Sequence, residues 1–155
     1  MSDEPLKVVE EIRVALTTED VVAGLAEQRE IIEETFARLA APDFDVVMVG
    51  AEYNPRQPQA FVGSGPEGFT RVWEEWTSVF ERFRIEIEET RPAGEEKVVM
   101  LVTLVGRTQT GGVDISQPAA AVWTVWDGKL TRVEFHLDRE RALKSAGLEP
   151  QSRQE

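Results

Sequence analysis

Residues 120–148 read AAVWTVWDGKLTRVEFHLDRERALKSAGL. Asp127 and Gly128 are a strong two-residue hairpin signal, because the favoured turn needs two residues in a row that tolerate positive φ. With the turn there, Trp126 pairs with Lys129. Counting back puts Trp123 opposite Arg132, Ala121 opposite Glu134 and Ala119 opposite His136, all on one face. The opposite face then carries Ala120, Val122, Thr124, Trp126, Val133 and Phe135 and is almost wholly apolar. Glu134 and His136, the latter the only histidine, stand two apart on a strand and so point the same way. A tryptophan, two small alanines and a few convergent polar groups suit a ligand cavity. The same Arg132, Glu134 and His136 also suit an ion-pair ladder on a wet surface, and the pattern leaves both readings open.

Upstream of this hairpin the period is two as far back as "RIEIEE" at 84–89, with "KVVMLVTLVGRT" at 97–108 as a long strand. Turns fall at "RPAGEE" and "QTGG". Before that the period is three to four. Leu6, Val9, Ile12 and Leu16 mark a first helix from Pro5, and Val22, Leu25, Ile32, Phe36 and Leu39 a second that follows Thr17 and Thr18, with Thr17 and Asp20 as a capping box, and that Pro42 stops. Residues 43–49 read as a short helical turn, and "YNPRQPQAFVGSGPEG" at 53–68 as a loop. Phe69, Trp73, Trp76, Phe80 and Phe83 give the third helix, with Pro66 just inside its start. Asp138 is the expected cap of a short last helix that Gly147 ends. Helices first and an antiparallel meander after them make the fold α+β. Domain boundaries are expected at an N-terminal helical arm over 1–18, a barrel over 19–148 and a tail over 149–155.

The 155 residues suit one domain, and 41% hydrophobic content is that of a globular chain. A formal charge of −12 argues against nucleic acid and anionic membrane as partners. No cysteine and one histidine exclude thiolate chemistry and Cys- or multi-His metal sites. The first residues lack the basic and apolar regions of a signal peptide, so the expected location is cytoplasmic.

The run at 120–148 resembles the close of the SnoaL-like branch of the nuclear transport factor two-like superfamily, with its W-T, D-G-K, R-V-E, D-R and A-L-x-x-A-G-L pieces in order. "EETFARLAAPDFDVV" at 33–47 resembles that family's first helix and acidic turn. "GPEGFTRVWEEWTSVFERFRIEIEE" at 65–89 resembles its third helix and second strand. The resemblance covers roughly Val21 to Leu148. It implies a cone-shaped α+β barrel, with helices packed in a curved, mostly antiparallel sheet around an apolar cavity. Related folds include ketosteroid isomerase, limonene epoxide hydrolase and SnoaL-type polyketide cyclases.

The resemblance also implies site residues. "VEFHLD" at 133–138 aligns with the last strand of the epoxide hydrolases and puts Glu134 at a catalytic carboxylate. Their Arg-x-Asp pair falls on Val102 and Leu104, so that relay is missing. Tyr53 is followed directly by Asn54 where those enzymes have Tyr-x-Asn. Ketosteroid isomerase positions fall on Asn54, on Thr35 or Phe36, and on Ala120 or Ala121, and none supplies the needed group. A cyclase-type site with one acidic residue is the closest chemical match.

The expected catalytic pair is therefore Glu134 as proton carrier with His136 beside it. The expected substrate wall is Tyr53, Asn54, Trp73, Trp76, Phe80, Met100, Val102, Trp123 and Arg132. By helical spacing Trp73, Trp76 and Phe80 are core residues first. No cofactor and no metal are expected. The functional classes left open are a cofactor-free cyclase, isomerase or hydrolase, a binding protein for a lipophilic small molecule, and a dimeric module with a vestigial cavity. A homodimer is expected through the apolar face of Val122, Trp126, Val133 and Phe135.

Overall fold

The structure is a computed structural model that describes residues 4–17, 24–49 and 59–148. In chain order the elements are α1 (Glu4–Leu16), α2 (Leu25–Leu39), β1 (Ala40–Val49), β2 (Gln59–Ser64), α3 (Gly65–Thr77), β3 (Phe80–Ala93), β4 (Lys97–Thr108), β5 (Asp114–Trp126), β6 (Lys129–His136) and α4 (Arg139–Ser145). The six strands make one sheet in the order β2-β1-β6-β5-β4-β3. β1 runs parallel to β6, and the other pairs are antiparallel.

The sheet has two unlike faces. On the inner face Phe83, Met100, Trp123, Leu130 and Val133 pack against Val9, Ile12 and Leu16 of α1, Ile32 and Phe36 of α2, and Phe69 and Trp73 of α3. The amphipathic stripe of α1 thus docks on the inside of the sheet. On the outer face Val99, Leu101, Ala120 and Val122 are covered by Ala142 and Leu143 of α4. Asp138 starts α4 as expected, its carboxylate accepting from the backbone N–H groups of Glu140 and Arg141. Gly147, at φ 85°, follows its end.

Four expectations need correction, and two share a cause. Asp127 and Gly128 do make the turn, with φ of 56° and 79°, and Trp126 does pair with Lys129. Beyond Val125 and Leu130, however, the register shifts, and Thr124 pairs with Arg132. Thr131 is the extra residue of a β-bulge. A one-residue slip exchanges the faces of everything after it. Trp123 therefore pairs with Val133, Val122 with Glu134, Ala121 with Phe135 and Ala120 with His136. Val133 and Phe135 belong to the inner core, and Val122 lies under α4. The continuous apolar outer patch that motivated a sheet-to-sheet homodimer is not there, although Trp126 is 62% exposed.

A second bulge lies behind the long reading of the third helix. Helix α3 ends at Thr77, and Phe80 and Phe83 stand on β3. They mimic a helical spacing because the β3–β4 register shifts between Phe80 and Arg82, so residues three apart both reach the core. Last, residues 43–49 are strand, not a helical turn. Phe44 and Val46 face the core while Asp43 and Asp45 are exposed, which is a period of two. Pro42 falls in the break between the Ala40–Leu130 and Asp45–Arg132 pairings, where no ladder N–H is needed. The segment read as a loop also contains β2.

Candidate functional site

The bulge at Thr131 delivers Arg132, Glu134 and His136 together to the outer face. Glu134 is the hub. Its Oε2 accepts from Arg132 Nε at 2.9 Å, and its Oε1 accepts from the Ser145 hydroxyl at 2.9 Å and lies 3.1 Å from His136 Nε2. Arg132 reaches on to Asp45 of β1 at 3.7 Å. Ser145 closes α4, so the cluster ties that helix to β6. Sequence reading did not find Ser145. Its approach depends on how α4 folds back over the sheet, and no local pattern marks it. The cluster is more enclosed than a surface ladder: the side chains of Glu134 and His136 are 12% and 5% exposed.

The hydrogen bond from His136 is the largest influence on Glu134. With those from Arg132 and Ser145 and the Arg132 charge, it outweighs partial burial and lowers the carboxyl from 4.5 to about 2. At neutral pH Glu134 is thus a carboxylate that only accepts, which does not suit a proton carrier. The consequence for stability has a definite sign. The folded value lies below the unfolded one, so the contribution is complete above about pH 5 and fades as pH falls toward 2. Its size is at most about 3 kcal/mol. Thermal unfolding from pH 7 to 2.5 is expected to show a steep acid limb in the native chain. Glu134→Gln should have a lower midpoint at pH 7 and a flatter limb. Parallel acid limbs in the two proteins would count against this account.

On the inner face lies a second feature. A cavity of about 20 Å³ is lined by Leu16, Met100, Val102, Ala121, Trp123 and His136, among others. Of the expected wall residues it gathers Met100, Val102 and Trp123; His136 borders it from β6, with its side chain turned to the outer face. Trp73 and Phe80 are buried in the core but do not line it, and the Trp73 indole N–H donates to Gln28 at 3.2 Å. Arg132 is on the other face of the sheet. Tyr53, Asn54 and the side chain of Trp76 lie outside what the structure describes. Leu16, which sequence reading placed only in the arm, is part of the wall.

Two buried side-chain polar atoms have no partner among the described residues: Nε1 of Trp123, whose residue lines this cavity, and Nδ1 of His136, on the outer face. A larger groove, about 410 Å³, opens to solvent between α1 and α2. It is rimmed by Glu11, Glu27 and Arg38 and holds none of the expected site residues. Among the described residues no His, Cys, Asp or Glu side chains cluster as a metal site would need, and no helix is long and apolar enough to cross a membrane.

A family model for the SnoaL-like domain matches residues 14–133. The chain belongs to the SnoaL-like domain family. No curated protein matches it. Solved structures similar to this SnoaL-like chain confirm the cone-shaped α+β fold. One, from Jannaschia sp. CCS1 and called a SnoaL-like polyketide cyclase, is 17% identical with a TM-score of 0.65, covering 97% of this chain and 98% of that one. A Mycobacterium tuberculosis protein in complex with estradiol-17β-hemisuccinate is 18% identical with a TM-score of 0.58, covering 85% and 92%. A computationally designed 17-OHP binder is 17% identical with a TM-score of 0.57, covering 86% and 92%. The six-stranded sheet of this SnoaL-like chain remains open, with β2 and β3 at its edges.

Proposed function

We propose that this protein binds a neutral lipophilic small molecule inside the cone, at the cavity beside Trp123, and that Glu134 does not act on it chemically. The observation that carries this reading is the indole N–H of Trp123. The side chain is fully buried, and its donor has no partner among the described residues. Buried tryptophan nitrogens ordinarily have one, because an unpaired donor costs about 1–3 kcal/mol. In an otherwise apolar wall, such a donor is an orienting group for a ligand. The similar structures that hold a steroid derivative or are designed to hold one support the same class of occupant. Glu134 lies on the opposite face, ionised and already engaged.

A volume of about 20 Å³ accommodates little more than one water-sized sphere, so the ligand must enlarge it. Leu16, the last residue of α1, is the wall residue best placed to yield, because the helix ends there. Leu16→Ala is expected to lose about 2–5 kcal/mol of stability. It should also raise affinity for N-phenyl-1-naphthylamine, a neutral fluorescent lipophile, by roughly tenfold through the extra apolar area it can bury. Fluorescence titration measures the second effect and thermal unfolding the first. Absence of saturable uptake by both proteins would overturn the proposed function.

A further inference from the structure

Hydrogen-bonding capacity around this cavity is one-sided. Trp123 Nε1 carries a proton, can only donate, and has no partner among the described residues. The indole stands on the inner face and packs at 82° to the ring of Phe135, 6.3 Å between centroids, which holds its plane. Acceptors are in the opposite state. The wall side chains on this face, among them Leu16, Ile85, Met100, Val102, Ala121 and Phe135, carry no oxygen. The main-chain oxygens of the wall are already engaged. Leu16 accepts from Gln28 at 3.3 Å, Val102 and Ala119 accept from Arg139 at 2.6 and 3.2 Å, and Leu137 accepts from Gln117 at 3.5 Å. The rest of β4 and β5 lies inside the sheet, with its carbonyls turned along the ladders. The cavity thus has an unused donor and no acceptor to go with it.

We propose that this cavity selects a lipophile whose polar group is an acceptor without a proton, a carbonyl oxygen above all, and that Trp123 is the residue that reads it. The inference deepens the proposed function and rests on it. A carbonyl oxygen takes the indole proton and needs nothing more from the wall. A hydroxyl also accepts, but its own proton then meets no free oxygen and is left buried. A hydrocarbon leaves the indole proton unpaired. A carboxylate would face a wall with no cationic side chain on this side of the sheet. Because a buried donor without a partner is costly, the discrimination falls on any ligand that leaves one, whether on the protein or on itself.

The test is a matched series on the full-length native chain: 2-acetylnaphthalene, 1-(2-naphthyl)ethanol and 2-isopropenylnaphthalene, titrated by calorimetry. The three share size and shape and differ in one group. The ketone is expected to bind tightest, by at least roughly tenfold over the alkene and by a similar factor over the alcohol. The infrared carbonyl band of the bound ketone should lie at lower frequency than in hexane. Trp123→Phe should return the band to its hexane position and level the ketone with the alkene. Where that variant does not fold, the carbonyl band and the Trp123 indole N–H resonance of the native chain decide, the resonance moving with the ketone and not with the alkene. Equal binding of all three compounds, an alcohol tighter than the ketone, or a ketone preference that survives Trp123→Phe overturns the acceptor reading while leaving lipophile binding intact. Binding of none overturns both.

Discussion

Val133→Glu is expected to leave the chain unable to fold. Val133 is fully buried on the inner face, registered with Trp123 on β5 and with Val46 on β1. A carboxylate there faces Trp123, Leu130 and the apolar sides of the helices, with no cation on that face of β6 to meet it. The cost combines the lost apolar burial with the desolvation of a charge, or of the neutral acid it would become, and is well above 4 kcal/mol. A domain of this size has about 5–15 kcal/mol in total. The substitution also decides between two registers. In the register that a plain two-residue hairpin gives, Val133 lies on an outer interface, and the variant would be a soluble folded monomer. In the bulged register it has no cooperative thermal transition. Circular dichroism with sedimentation distinguishes the two. Trp126→Glu is the control: that side chain is 62% exposed, so its stability should change by no more than about 0.5 kcal/mol.

The same strand shows what the sequence makes readable and what it hides. The Asp127–Gly128 turn, the Asp138 cap and the Gly147 stop are local, and each is where its residue type predicts. The family resemblance was legible for the same reason, since it rests on those turn and cap residues. The bulge at Thr131 has no such marker. Threonine is an ordinary strand residue, and the shift is set by how β6 must meet both β5 and β1. That one residue moved Glu134 from the expected cavity to the outer face and brought Phe135 in. It left Trp123 on the cavity wall, because β5 runs against β4 without a register shift. β1 was hidden for a related reason. It pairs with β6, more than eighty residues away, and with β2, which lies in the segment read as a loop, and a short apolar run is ambiguous between helix and strand until its partners are known. Of the candidate pair, the position of His136 beside Glu134 was legible from alternation. The engagement of Glu134 was not, because it depends on Ser145 and Arg132 reaching the carboxylate.

Removing residues 1–16 is the harsher test of how this fold is built. The family match begins at residue 14, which taken alone would make α1 a dispensable arm. The packing says otherwise. Val9 and Ile12 are fully buried, and Val8 and Leu16 nearly so, all within the core that also holds Trp123 and Phe36. Four such side chains contribute roughly 1.5–3 kcal/mol each relative to exposure. Their sum is of the same order as the whole stability of a domain. Polar ties are lost with them: Thr90 donates to Glu10 at 2.7 Å, and Gln28 donates to the carbonyls of Ala15 and Leu16 at 3.4 and 3.3 Å. Gln28 is itself buried and also accepts from Trp73, so its amide would be left half-paired beside newly exposed apolar surface. The truncated chain is therefore expected to be compact but uncooperative, with far-ultraviolet ellipticity largely kept and near-ultraviolet signal lost. A truncated chain that unfolds cooperatively within a few degrees of the native midpoint would mean that α1 only rests on the cone, and that the wall at Leu16 is not needed to close it.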